Sequence, residues 1–244
     1  MLRHAILAAL ARMLRREARP GGARERLVEG VLFALGWAVW PLDALLRLVA
    51  FLRYAGAGAP PGRIVCRGAL LLRADTAGAG ALGTASAEAR AMMLLRGADA
   101  LFREHGIALS LEERVCAAPL PAGIEPPSCG FRALMGRFFA WASSRAAAPG
   151  ITVFFVERLG GYAGCAVPGA DWILVDLHTD PTTIVHEIGH LADLWAHHGD
   201  PANIMTNRPG GRHDRLTPFQ ARVIRTSRFV TRAGGEEGRR TAGD

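Results

Sequence analysis

The sequence predicts an α/β (α+β) domain: a mixed, mostly parallel β-sheet with helices packed against it, preceded by an N-terminal hydrophobic helical segment. Three observations carry this. From Arg63 onward, strand-like and helix-like patterns alternate, the order that builds such a sheet. Half of the 244 residues are hydrophobic, enough to build a sizeable core in one ordinary domain. A capped helix carrying His186-Glu187-Ile188-Gly189-His190 follows directly on a short apolar strand.

Residues 1–59 form a basic and hydrophobic helical segment distinct from the rest. Residues 1–26 carry seven arginines around an amphipathic stretch with Leu2, Ile6, Leu7, Leu10, Met13 and Leu14. Leu27 to Leu52 is mostly apolar, but Asp43 and Arg47 interrupt the run of about 20 apolar residues that a spanning helix needs. Four placements fit: an imperfect transmembrane anchor with its arginines inside, an interfacial helix pair on the membrane, an export segment, cleaved or retained, that ends at Ala55-Gly56-Ala57-Gly58-Ala59, or a soluble helical prodomain. Gly56 to Gly62, rich in Gly, Ala and Pro, reads as the linker into a domain spanning residues 60–232.

Within that domain, Ile64 to Arg73 reads as a strand and Ser86 to His105 as a helix with the stripe Ala89, Met92, Met93, Leu95 and Leu101. Ile107 to Cys116 is a second strand, and Phe131 to Ala146 has a helical pattern. Ile151 to Val156 is a buried strand, the glycine-rich Gly160 to Val167 a short edge strand, and Trp172 to Asp176 the last strand before the histidine-bearing helix. Asp180 offers an N-cap oxygen and Pro181 suits the first helical position. Ile184, Ile188, Leu191 and Trp195 then form an apolar stripe, leaving His186, His190 and Asp193 on another face. Residues 233–244 read as a disordered polar tail.

The net charge of +7 comes entirely from arginine, since the chain has no lysine. It is uneven: residues 1–59 and 206–244 are each about +5, and residues 60–205 about −3. With no arginine-rich reading helix and no alternation of aromatic and basic residues, nucleic acid is not an expected partner. Cys66, Cys116, Cys129 and Cys165 lack metal-site spacing. Disulfides in an exported protein and buried free thiols both fit them, with Cys116–Cys129 closing a proline-rich loop as one pairing.

His186 and His190 carry the chemistry. Four residues apart, they fall on one helical face about 6 Å apart along the axis, which suits two imidazoles converging on one zinc ion. Glu187, beside the first of them, is placed to take a proton from a water that the ion activates, as in metalloproteases. Zinc needs a third protein ligand and an open position. No glutamate follows Glu187 until Glu236 and Glu237, whereas histidines come at once in Ala196-His197-His198-Gly199-Asp200-Pro201-Ala202-Asn203-Ile204-Met205-Thr206.

These stretches together resemble the metzincins, whose HExxHxxGxxH is followed by a methionine-containing turn beneath the metal. They are most similar to bacterial, matrixin-like members, in which Asn-Ile-Met or Asn-Leu-Met follows the third histidine closely. Leu216-Thr217-Pro218-Phe219-Gln220 is similar to the start of that group's C-terminal helix, with Thr217 as cap and Pro218 in the first turn. The likeness in motif covers residues 171–230; before that, only element order agrees.

The resemblance implies a zinc metalloendopeptidase with an active-site helix and a small C-terminal subdomain. His186, His190 and His197 would be the zinc ligands, Glu187 the general base, and Met205 the turn residue that packs below the ion. Extended peptide or protein substrates would pair along the edge around Gly161 to Ala166, with a specificity pocket between the active helix and residues 206–216. The alternative is a zinc-binding, non-proteolytic module that holds a peptide or partner through the same edge. The expected location is membrane-associated, through residues 27–52, or extracytoplasmic. Cys66, in Arg63-Ile64-Val65-Cys66-Arg67, does not match the pro-segment motif that matrixins use for latency.

One departure bears on the third ligand. Asp193 stands where the family has glycine, and Ala196 stands where counting forward from His186 places the third histidine. Counting back from Met205 lands on His197, which implies one extra residue between helix and ligand. Aspartate tolerates the left-handed conformation less well than glycine, so the helix is expected to run on before the chain turns back. The candidates rank His197, then His198, then Asp193 and Asp200, with Asp193 better suited to hydrogen-bonding a ligand than to binding metal.

Overall fold

The computed structural model describes residues 61–72, 83–121, 124, 129, 137–146, 150–167, 170–194, 196–207 and 213–232, with isolated positions 45, 48, 49 and 52. The other positions of the N-terminal segment, the linker before residue 61, Phe131 to Gly136, Trp195 and the tail from residue 233 lie outside the described residues. Among the described residues, no helix is long and apolar enough to cross a membrane.

The domain is mixed α/β around a mostly parallel sheet. Its strands are β1 (Gly62–Leu72), β2 (Ile107–Leu111), β3 (Cys116–Pro119), β4 (Ile151–Val156), β5 (Gly164–Ala166), β6 (Trp172–Asp176) and β7 (Val230–Arg232). The helices are α1 (Thr84–Arg103), α2 (Arg137–Arg145), α3 (Pro181–Leu191) and α4 (Pro218–Thr226). The main path runs β2-β1-β4-β6-β5, with β3 and β7 also paired to β1. β1 is parallel to β2, β3 and β4, and β4 is parallel to β6. β5 on β6 and β7 on β1 run antiparallel.

Strands β4 and β6 show why this sequence makes a sheet covered on both faces. All their residues are buried, as a parallel sheet between two helical layers requires. Their side chains alternate between two cores. Ile151, Val153, Phe155, Ile173 and Val175 join the core under α1 and α3. Phe154, Val156, Trp172 and Leu174 join a second core with Phe138 and Trp141 of α2. There Phe138 meets Trp172 and Phe154 edge to face, with centroids 5.6 and 6.1 Å apart. Helix α2, within the helical pattern of Phe131 to Ala146, therefore covers the second face of the sheet.

Several elements differ from expectation. The strand expected over Ile107 to Cys116 is two strands, β2 and β3, because Glu112, Glu113 and Arg114 put exposed charge where a pleated face would be buried. Glu112 pairs instead with Arg67 of β1 at 2.6 Å. The buried face of α1 is Ala87, Ala91, Leu94, Leu95, Ala98 and Phe102, while Met93 is 48% exposed and Ala89 is exposed. Small alanines, which carry little weight in a hydrophobic pattern, give that helix its face. β7 had no counterpart in the sequence reading; it closes back on the start of β1.

Candidate metal centre

Helix α3 starts where its sequence tells it to. Asp180 is extended, and its side chain accepts from Thr182 N–H at 2.8 Å, with Pro181 next in line. Ile184, Val185, Ile188 and Leu191 are buried in the core, which leaves His186 and His190 on the opposite, half-buried side.

The end of α3 corrects one expectation. The helix does not run on past Asp193. Asp193 itself takes the left-handed conformation, at φ 73°. Its N–H bonds to the His190 carbonyl and the Leu194 N–H to the Gly189 carbonyl, both at 3.0 Å. This is the Schellman pattern, with aspartate at the position that glycine usually fills. Aspartate tolerates φ > 0 better than most side chains, so the chain reverses here without glycine. The extra residue lies in the return: three residues, Leu194 to Ala196, separate Asp193 from His197.

That return brings three histidines together. The ligand-capable atoms of His186, His190 and His197 all lie within 4.8 Å of one another. Ring centroids are 4.6 Å apart for His186–His190, 5.2 Å for His190–His197 and 5.4 Å for His186–His197. Among the described residues, neither His198 nor an aspartate belongs to this group. The exposed His198 accepts from Asp200 N–H at 3.1 Å, and Asp200 Oδ1 accepts from Ala202 N–H at 2.9 Å, so both shape their own loop.

Backbone carbonyls orient the two helical histidines. His186 Nδ1 lies 2.7 Å from the Ile204 oxygen and His190 Nδ1 2.8 Å from the Leu194 oxygen. A carbonyl only accepts, so each Nδ1 carries the proton and each Nε2 presents a lone pair. Burial pushes His186 below the usual imidazole range, opposed by the Ile204 carbonyl and reinforced by His197 and His213. Burial, with His186 beside it, takes His190 down to about 4, opposed by the Leu194 carbonyl. Neutral imidazoles are the form that binds a metal ion.

A fastened turn lies beneath the cluster. Met205 is fully buried, and its N–H bonds to Asn203 Oδ1 at 2.9 Å. Asn203 and Gln220 are both buried and exchange two side-chain hydrogen bonds, at 2.9 and 3.1 Å. Gln220 also closes a capping box with Thr217 at the start of α4. On either side, His198 N–H bonds to the Met205 carbonyl at 2.7 Å and Ile204 N–H to the Arg215 carbonyl at 2.8 Å. Met205 approaches α3 so closely that a Cβ on Gly189 would lie 2.5 Å from its sulfur.

Glu187 occupies the other flank. It is 6% exposed, and burial raises its carboxyl to about 8, opposed by a hydrogen bond from Ala166 N–H. Edge strand β5 supplies that donor and packs on the same side chain. A Cβ on Gly164 would fall 2.9 Å from Glu187 Cγ and 2.7 Å from Thr183 Cγ2.

Of the alternatives open for the four cysteines, one disulfide and two free thiols are found. Cys129 bonds to Cys165 of β5, not to Cys116, and the two Cα atoms are 5.9 Å apart. Cys116 is exposed on β3 and Cys66 is buried, both as free thiols; burial pushes the Cys66 thiol up to about 12.

Sequence reasoning passed over Gly189, the Asn203–Gln220 pair, His213 and the β5 contact. Gly189 did carry a signal, because glycine inside a helix costs roughly 1 kcal/mol relative to alanine and calls for a packing reason. No family model matches the chain, and no curated protein matches it significantly.

The packing of Met205 on Gly189 yields a prediction. Gly189→Val overfills that contact and should cost about 1–3 kcal/mol in denaturant unfolding. It should also weaken metal retention, because the displaced turn carries the carbonyl that orients His186. Unchanged stability and retention would show that the contact is loose.

Proposed function

We propose that this chain is a zinc-dependent metalloendopeptidase of metzincin-like, matrixin-like type. The single observation that carries the reading is the convergence of His186, His190 and His197 on one side of a helix whose buried neighbour is Glu187. The donor set suits zinc: His186, His190 and His197 would hold it through three imidazoles, two of them fixed by carbonyls through Nδ1, the number of protein ligands that a catalytic zinc site uses. When bound, zinc supplies a Lewis acid that acidifies its water and polarises the scissile carbonyl.

The chain's own residues do the rest. Glu187 takes the proton from the attacking water on its carboxylate and passes it to the departing amine nitrogen. Its buried setting, which raises the carboxyl, favours the proton-holding form from which the proton passes to the amine. Among the described residues β5 pairs along one side only, with β6, and an extended peptide would lie along its other side, with side-chain specificity arising beside α3.

The same reading places the domain outside the cytoplasm. The Cys129–Cys165 disulfide supports this, since such bonds persist in oxidising compartments. Leu45, Leu48, Val49 and Leu52 support membrane association: they are helical, spaced as one face and each more than half exposed.

Two experiments test the proposal. Purified protein should carry about one zinc per chain, and Glu187→Gln should keep that zinc while peptide cleavage falls by about 100-fold or more. A protein without zinc sinks the metal reading. Zinc with no cleavage by the wild type identifies a peptide-binding module instead.

The third ligand is tested by paired substitutions. His197→Ala should lose zinc readily, whereas His198→Ala should retain it, because His198 faces its own loop. Greater zinc loss in His198→Ala would reverse the assignment.

A further inference from the structure

The strand that touches Glu187 is one of the two shortest in the sheet. β5 is three residues long and pairs along one side with β6. So short a ladder fixes little by itself. Its position nevertheless matters at atomic scale, since Ala166 donates to Glu187 and Gly164 abuts both Glu187 and Thr183. A slide of about 1 Å would remove the donor and change the packing on the carboxylate, a displacement large enough to matter in catalysis.

The central residue of β5 is Cys165, bonded to a cysteine 36 residues earlier. Cys129 Sγ also lies 3.5 Å from the Gly164 carbonyl oxygen. Both cysteines pack against the second core, whose buried aromatic residues are Phe138, Trp141, Phe154 and Trp172. The bond therefore ties a three-residue edge strand to a second residue packed on that aromatic core. His186 and His190 are held differently, by α3 and by the carbonyls of Ile204 and Leu194.

We propose that Cys129 and Cys165 are a positioning pair: their disulfide holds β5 against Glu187 and so fixes both the carboxylate and the edge to which a peptide pairs. The consequence for turnover rests on the peptidase reading, whereas the mechanical role does not. Reduction releases the strand and leaves the histidine cluster in place. With a water-soluble trialkylphosphine, two electrons from phosphorus cleave the S–S bond. Water supplies the oxygen of the phosphine oxide and the two protons of the thiols.

The test uses the zinc-loaded full chain with and without tris(2-carboxyethyl)phosphine, at a temperature where far-ultraviolet circular dichroism is unchanged. Three quantities are read: amide exchange of residues 164–166 and of α3 by mass spectrometry, zinc content, and the kcat and KM of peptide cleavage. Reduction should speed exchange in β5 by about tenfold or more while α3 and zinc content stay constant. It should lower kcat/KM by about tenfold or more, with KM raised by the lost edge and kcat lowered by the freed carboxylate. Reoxidation should restore all three. The double variant Cys129→Ser/Cys165→Ser should behave as the reduced protein and ignore the phosphine.

Unchanged exchange in β5 overturns the proposal. So does full kcat/KM with a released strand, and so does loss of zinc or of α3 protection, since the bond would then support the whole fold. A strand that loosens on reduction in a protein that cleaves no peptide in either state upholds the clamp and refutes the peptidase reading.

Discussion

Everything at the histidine cluster follows from an abrupt reversal of the chain after His190. A helix presents two imidazoles on one face easily, but a third ligand on the same straight rod cannot close a tetrahedron around one ion. The chain must leave the helix within a turn and come back over the same face. It does so at Asp193, where a left-handed residue closes a Schellman cap and sends Leu194 back across Gly189. The returning Leu194 carbonyl receives the His190 ring, so the cap that ends the helix also aims the histidine before it. His197 reaches the cluster from the continuation of that same return.

A reversal held by one strained residue would be soft, and the rest of the domain stiffens it. The turn at Met205 is tied to residue 198 on one side and residue 215 on the other, and Asn203 locks it to Gln220 of α4. Its buried methionine fills the space that Gly189 leaves open, and its Ile204 carbonyl orients His186. Beneath this, α3 lies on a sheet whose central strands are buried on both faces, so the platform has no solvated side on which to yield.

Much of this was legible in the sequence because it is local. The cap at Asp180, the apolar stripe of α3 and the four-residue histidine spacing are all written within a dozen residues. The buried strands β4 and β6 were legible as unbroken runs of β-branched and aromatic residues. What was not legible depends on distance or on small residues. Asn203 and Gln220 are 17 residues apart and share no periodic signal. The alanine face of α1 was outweighed by Met93, a larger side chain that the fold leaves exposed. Pairing among four cysteines has no local signature, and the bond chosen joins an edge strand to a distant loop. The end of α3 was not legible because the hydrogen bonds that close the cap offset the cost of aspartate at φ > 0, a balance no local pattern displays.

Three imidazoles, one of them brought in by the reversal, are proposed to hold a single zinc ion together with one water. Zinc K-edge X-ray absorption on the loaded chain tests this most directly. The predicted spectrum fits three histidine nitrogens at about 2.0–2.1 Å and one further oxygen. A shell containing sulfur, or only two imidazoles completed by carboxylate oxygens, would contradict it.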